Sequence, residues 1–317
     1  MIRRGEGSPY EINLAFAAAA QKLGFEAKVV LVRDRRDGAF EEQLIGWLPT
    51  EAITVVQPQG SSRKMYFNPA SRFAIARNVP WYLRGGSGLV AGSGNELILR
   101  VSPDIGAQAR ADWDLDLTVD ASGEITGKVG GAIRGEQARS RRAWLWSEDP
   151  KRWPELVADD LVDDPVKLEV SLGDLSEPPD SAFKVSGSVR YPGITSAAGK
   201  QVSVPIEKLV PWRLHGDFPH ERRSQPISFN YPRIENVTIR VHFPAGASIE
   251  DLPAPGSFQN SAGSWTTQWT RTDDGVRLDR TVEVRFAEFP RSDYDAVRNL
   301  FSGLASADRE VLLIRMP

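Results

Sequence analysis

The feature that most constrains this fold is a change of hydrophobic period. Beyond about residue 95, apolar and polar residues alternate. Ala111-Asp112-Trp113-Asp114-Leu115-Asp116-Leu117-Thr118-Val119 does so without a break. A period of two puts one residue set on each face of a strand, so such a segment belongs in a sheet with one buried face. Further strand candidates follow at 97–101, 125–133, 185–191, 201–206, 237–243, 264–270, 275–284 and 311–314, separated by Pro, Gly, Asn and Asp. Many short alternating strands with such turns predict an antiparallel β-sandwich. Helical segments are expected at 137–146, at 153–161 and, before the last strand, at 292–304.

The first third reads differently. Ser8 is a candidate N-cap, Pro9 fits the first helical position, and Glu11 stands three residues after Ser8 as in a capping box. Ile12, Ala15, Phe16, Ala19 and Leu23 recur at helical spacing and are expected to face the core. The run Ala17–Ala20 allows close approach, and Gly24 is a natural stop. Strands are expected at 28–33, 52–56 and 64–67, the last ended by Asn68-Pro69. Gly85-Gly86-Ser87-Gly88 and Gly92-Ser93-Gly94 read as a seam between two domains, 1–94 and 95–317. They lack the Gly-Lys-Ser/Thr of a phosphate loop.

Composition removes several functions. The chain has no cysteine, which excludes disulfides, thiolate metal sites and thiol catalysis. A net charge of −3 and a pI of ≈ 5.8 argue against a nucleic-acid partner. Arg139, Arg141 and Arg142, and Arg222 with Arg223, are basic clusters diluted by acidic neighbours. There is no run of about 20 apolar residues to span a membrane, and Met1–Gly5 does not read as a signal peptide. No cofactor motif is present.

Gly7-Ser8-Pro9, the helix after it and Gly24-Phe25-Glu26-Ala27 resemble part of a bacterial transglutaminase-like, papain-like domain. In that family the pattern is Gly-Asp-Cys, a helix, Gly-Ile-x-Ala and a strand. Tyr66-Phe67-Asn68-Pro69 is similar to its strand ending in Leu/Phe-Asp-Pro, and Arg72-Phe73 through Asn78-Val79-Pro80-Trp81 to the loop that follows. His220-Glu221-Arg222-Arg223-Ser224-Gln225-Pro226, Phe243-Pro244-Ala245-Gly246, Leu252-Pro253 and Tyr294-Asp295-Ala296-Val297-Arg298 are similar to a β-sandwich domain of unknown function found after this core in bacterial envelope proteins. The resemblance implies a mainly β protein with an α+β N-terminal part, located in the periplasm or cell envelope. It also implies a C-terminal fragment or an unusually short member, because the front of the core is missing.

The same resemblance places Pro9 in the cysteine slot and Asn68 in the aspartate slot, and the window 40–56, which should hold the histidine, has none. A thiol-type site needs a nucleophile, a base and an orienting group. Pro9 and Asn68 are therefore vestigial slots, and Ser8 as a substitute nucleophile has no evident base. Three other constellations read as solvated loops and faces: His215, Asp217 and His220 as a metal set; Asp159-Asp160 and Asp163-Asp164 as a calcium loop; Glu41-Glu42 as an acid–base pair. Trp265 and Trp269 share one strand face, which offers a sugar-stacking alternative. The expected function is a non-catalytic binding or scaffolding protein with a protein or peptide partner. A carbohydrate-binding module and a fragment of a larger transglutaminase- or peptidase-like protein are the alternatives.

Overall fold

The structure is a computed structural model that describes residues 6–37, 51–91, 98–101, 109–161, 166–193, 195–210 and 218–317. The protein is mainly β, with an α+β N-terminal part. It divides into two compact units. The first is Met1–Ala107 with Arg139–Ala143 and Glu177–Ser181, and the second is the remainder.

The first unit opens with helix α1 (Pro9–Lys22), followed by β1 (Phe25–Val32), β2 (Glu51–Pro58), β3 (Met65–Phe67), β4 (Ser87–Val90) and β5 (Ile98–Arg100). The strands form one sheet in the order β3-β2-β1-β4-β5, and each adjacent pair is antiparallel. Its two faces sort by alternation. Ala27, Val29, Ala52 and Val56 pack with Ala17 and Ala20 beneath α1. Val30, Val32, Ile53, Val55 and Tyr66 pack with Val79 and Leu83 on the other face.

Two expectations change here. The buried residues of α1 are Asn13, Ala17 and Ala20; Phe16 packs against them as expected, whereas Leu23 is 77% exposed. The helix is rotated from the apolar count because a hydrogen-bonded Asn13 is buried under it. Ser87–Val90 of the glycine-rich stretch is a strand between β1 and β5. Gly88 serves close approach, because a Cβ there would lie 2.7 Å from the Leu31 carbonyl and from the Val30 and Val32 side chains. Gly92–Gly94 lies outside the described residues.

The second unit contains β6 (Ala109–Val119), β7 (Ile125–Arg134), α2 (Glu136–Trp146), α3 (Trp153–Leu161), β8 (Lys167–Leu172), β9 (Phe183–Tyr191), β10 (Ser196–Ala198), β11 (Gln201–Pro205) and α4 (Ile206–Leu209). After these come β12 (Ile227–Ser228), β13 (Arg233–His242), β14 (Ser248–Asp251), β15 (Gly256–Gln259), β16 (Gly263–Thr272), β17 (Gly275–Val284), β18 (Glu288–Phe289), α5 (Tyr294–Asp308) and β19 (Val311–Arg315). Residues 139–143 of α2 count with the first unit.

An eight-stranded sheet runs β15-β16-β17-β13-β6-β7-β9-β8, and a four-stranded sheet runs β10-β11-β19-β14. Their apolar faces share one core, in which Leu115, Leu117, Ile239 and Leu278 meet Val204, Leu312 and Ile314. The β6–β13 pair is parallel over its whole length, a departure from a purely antiparallel sheet that alternation cannot reveal. Parallel neighbours need a long crossover, and the chain from β7 to β12 separates these two. A second core forms where Val297, Leu300 and Phe301 of α5 pack against Trp265 and Val282.

Arg280 sits fully buried inside this unit. Its Nη1 donates to Glu235 Oε1 at 2.9 Å, and its Nε and Nη2 donate to the Asp308 carboxylate at 3.0 and 2.9 Å. The buried arginine thus ties β13, β17 and the end of α5. The other face of the large sheet carries cross-strand charge pairs. Arg240 Nη1 donates to Asp114 Oδ1 at 2.7 Å, and His242 lies between Asp116 at 3.0 Å and Asp274 at 2.7 Å.

Candidate functional site in the first unit

The capping box forms as the sequence predicts. Glu11 N–H donates to Ser8 Oγ at 3.3 Å, and Ser8 N–H donates to Glu11 Oε2 at 2.8 Å. These bonds hold the Glu11 carboxyl below its usual range, the Ser8 backbone bond foremost. The Ser8 hydroxyl itself donates to Glu11 Oε2 at 3.0 Å. A serine nucleophile needs a base to take that proton, and a carboxylate already spent on the cap is a poor one. Pro9 follows as the first residue of α1, in the position the resemblance assigns to the nucleophile.

Asn13 fastens this end of α1 to the sheet. It is fully buried, and its Nδ2 donates to the Pro9 carbonyl at 2.9 Å and to the Ala52 carbonyl at 3.0 Å. Thr54 Oγ1 donates to Asn13 Oδ1 at 2.9 Å. The β2–β3 ladder stops at Thr54↔Phe67, so Asn13 completes Ala52 where no β3 residue does. A side-chain amide with its donors and acceptor all engaged is a favourable way to bury polarity. It sets the slot at Pro9 beside the start of β2.

The first described residue of the histidine window is Glu51. Burial raises its carboxyl above the ordinary range, Asp34 adds to the rise and Arg36 opposes it. Arg36 pairs with Asp34 and lies 4.2 Å from the Tyr82 ring centroid, with Arg139 at 5.7 Å on the same ring. Burial likewise pushes the Tyr82 hydroxyl up. Guanidinium groups stacked on an aromatic ring and countered by two carboxylates form a charge-balanced knot. It gathers Asp34 and Arg36, just after β1, near Glu51 at the start of β2, and supplies no nucleophile. Asn68, the other slot, is buried, and its Oδ1 has no hydrogen-bond partner among the described residues.

Beside α1 lies an open groove of ≈ 550 Å³. Tyr10, Leu14 and Ala18 line it from the helix, and Ala27 and Val29 line it from β1. Gln21 lines it too, and its Nε2 donates to the Ala27 carbonyl at 2.7 Å. Tyr10 is 41% and Leu14 49% exposed. Glu26 and Lys28 of β1 line it as well, so the groove offers an apolar helix face beside charged strand residues. The sequence reading missed both Asn13 and the groove. The signal for the first was a polar residue inside an apolar helix. The second was hidden because the apolar count placed the inward face one turn position away.

The remaining candidates are not brought together among the described residues. Trp265 and Trp269 share a face, as alternation requires, but both are only 8% exposed, so neither offers a ring to a sugar. Large aromatics here fill core, which removes the observation behind the carbohydrate reading. Arg139, Arg141 and Arg142 are buried rather than a surface cluster. His220 is exposed, while His215 and Asp217 lie outside the described residues, as do Glu41, Glu42, Asp163 and Asp164. Asp159 and Asp160 are exposed on α3. Among the described residues no group of three His, Cys, Asp or Glu side chains is placed to hold a metal, and no helix is long and apolar enough to cross a membrane.

Residues 205–314 match a family described as a domain of unknown function with a solved structure (DUF3858). No curated protein matches the chain. A crystal structure described as a "putative protease" from Parabacteroides distasonis ATCC 8503 is similar over 99% of this chain, at 14% identity and a TM-score of 0.46. The chain spans 45% of that protein's length.

Proposed function

We propose that this chain is a non-catalytic binding or scaffolding protein of the bacterial cell envelope or periplasm, built on a degenerate transglutaminase-like frame, with a protein or peptide as its partner. One observation carries the reading. The helix–glycine–strand frame is held in place by the Ser8–Glu11 cap and by Asn13, yet its nucleophile slot is Pro9, its acid slot is Asn68 and its histidine window has no histidine. The reading is supported by a helix end tied to the sheet together with three positions that depart from the family pattern. The open groove beside α1 supplies the binding surface. The envelope location rests on the sequence resemblance. The match at 205–314 agrees with the resemblance of the C-terminal part and assigns it no activity.

The test is an amine-transfer and peptidase assay on the whole chain beside Ser8→Ala. The expected result is no turnover above blank for either protein. Turnover that disappears in Ser8→Ala would overturn the reading.

A further inference from the structure

Four of the seven exposed large apolar residues among those described, Tyr10, Leu14, Leu23 and Phe25, fall on α1, its C-cap and the start of β1. On the helix, Tyr10, Leu14, Ala18 and Gln21 follow the i, i+4, i+8, i+11 spacing of one face, and all four line the groove. The stripe runs from large to small, with Tyr10 at one end, Leu14 central and Ala18 beyond it. Charge is also arranged end to end, with Glu6 exposed before the helix and Lys22 exposed in its last turn.

We propose that the occupant of this groove is a second copy of the chain, with the two first helices packed antiparallel about a two-fold axis at Leu14. This deepens the reading of the groove as a docking surface and rests on it. A two-fold interface must be self-complementary, and the stripe meets that condition in one register. Leu14 meets Leu14, Tyr10 of each copy fills the space over Ala18 of the other, and Lys22 of each copy stands opposite Glu6 of the other. The alanine run lets the helices approach closely, and antiparallel helices oppose their dipoles favourably. The stripe from Tyr10 to Gln21 is about 16 Å long at 1.5 Å per residue. A patch of that length falls below the roughly 1,200 Å² of a standard stable interface, so the dimer is a weak one that forms with concentration.

The chain has no cysteine, so one introduced thiol reports only contact between copies. Leu14→Cys is expected to form a covalent dimer, under mild oxidation or with a short bis-maleimide, at least about tenfold faster than Leu23→Cys. Exposure alone predicts the opposite order, since Leu23 is 77% exposed and Leu14 49%. Mixing Tyr10→Cys with Ala18→Cys should give the mixed dimer in preference to either self-dimer. Sedimentation between about 1 μM and 1 mM should show the mass rising above 35.0 kDa, and Leu14→Glu should abolish the rise with the circular dichroism unchanged. The Lys22→Glu chain should associate more weakly, and Glu6→Lys/Lys22→Glu should recover. A mass fixed at 35.0 kDa throughout, or cross-linking of Leu14→Cys no faster than of Leu23→Cys, overturns the proposal. Either result leaves the non-catalytic reading to its own amine-transfer test.

Discussion

Asn13→Ala is the sharpest test of how the first unit is held. The substitution deletes the Nδ2 bonds to the Pro9 and Ala52 carbonyls, at 2.9 and 3.0 Å, and the acceptor for Thr54 Oγ1, at 2.9 Å. Thr54 Oγ1 retains a bond to the Asn13 backbone carbonyl at 3.1 Å. The Ala52 carbonyl loses its side-chain donor at a point where the β2–β3 ladder has already ended. A buried polar group left without a partner costs about 1–3 kcal/mol, and a lost bond about 1 kcal/mol. The sum for one orphaned acceptor and a partly compensated hydroxyl is about 2–4 kcal/mol. Because the chain has two compact units, a single melting temperature mixes their stabilities. Hydrogen exchange resolved to peptides of α1 and β2 isolates the effect. Protection there should fall about 30- to 1,000-fold, since 1.4 kcal/mol is tenfold, while peptides of the large sheet stay unchanged. Leu14→Ala, one residue on and half exposed, is the control and should cost less than about 1 kcal/mol. Unchanged protection in α1 and β2 would refute Asn13 as the tie.

Three other perturbations follow from the same structure. Asp308→Ala removes the bidentate partner of a fully buried Arg280 and should cost about 3–5 kcal/mol in denaturant unfolding of the second unit, because it leaves an undercompensated charge inside. Glu51 is held above its ordinary range by burial, so the folded state binds its proton more tightly than the unfolded state does. Stability of the first unit therefore falls as pH rises from the unfolded value through the raised one. Glu51→Gln should remove that part of the slope, and the two proteins should converge in acid; a variant with the wild-type slope in local hydrogen exchange counts against it. Gly88→Ala drives a Cβ to 2.7 Å from the Leu31 carbonyl. It should destabilise the β1–β4 pairing by about 1–3 kcal/mol, read as faster exchange at residues 88–90.

The sequence carried the strands well wherever one face is buried. The strands read at 111–119, 125–133, 237–243, 264–270 and 275–284 overlap β6, β7, β13, β16 and β17. The α1 boundaries were legible because Ser8, Pro9, Glu11 and Gly24 each have a local role, which the cap bonds and the φ of +86° at Gly24 bear out. What stayed hidden depends on partners distant in sequence. The register that makes β6 parallel to β13 joins residues more than a hundred positions apart. β10, β12, β14, β15 and β18 are four residues or fewer, too short to show a period, whereas β8 alternates over Lys167–Leu172 and was legible but not read. The inward face of α1 was read only in part: Phe16 packs there, but Asn13 counts as polar in a periodicity scan although three bonds satisfy it. Glu51 matters through burial beside Asp34, Arg36 and Tyr82, which composition cannot show. The assignment of Pro9 and Asn68 as altered slots rests on the sequence resemblance alone.

The central claim is that the frame around α1 retains no nucleophile. Intact-mass spectrometry of the whole chain, after exposure to a serine-directed fluorophosphonate and to an electrophilic glutamine-mimic peptide, addresses it without assuming any substrate. The prediction is an unshifted mass of 35.0 kDa, because Ser8 Oγ is committed to Glu11 and no histidine lies in the window that should supply the base. A stoichiometric adduct that peptide mapping places on Ser8, lost on unfolding, would contradict the account.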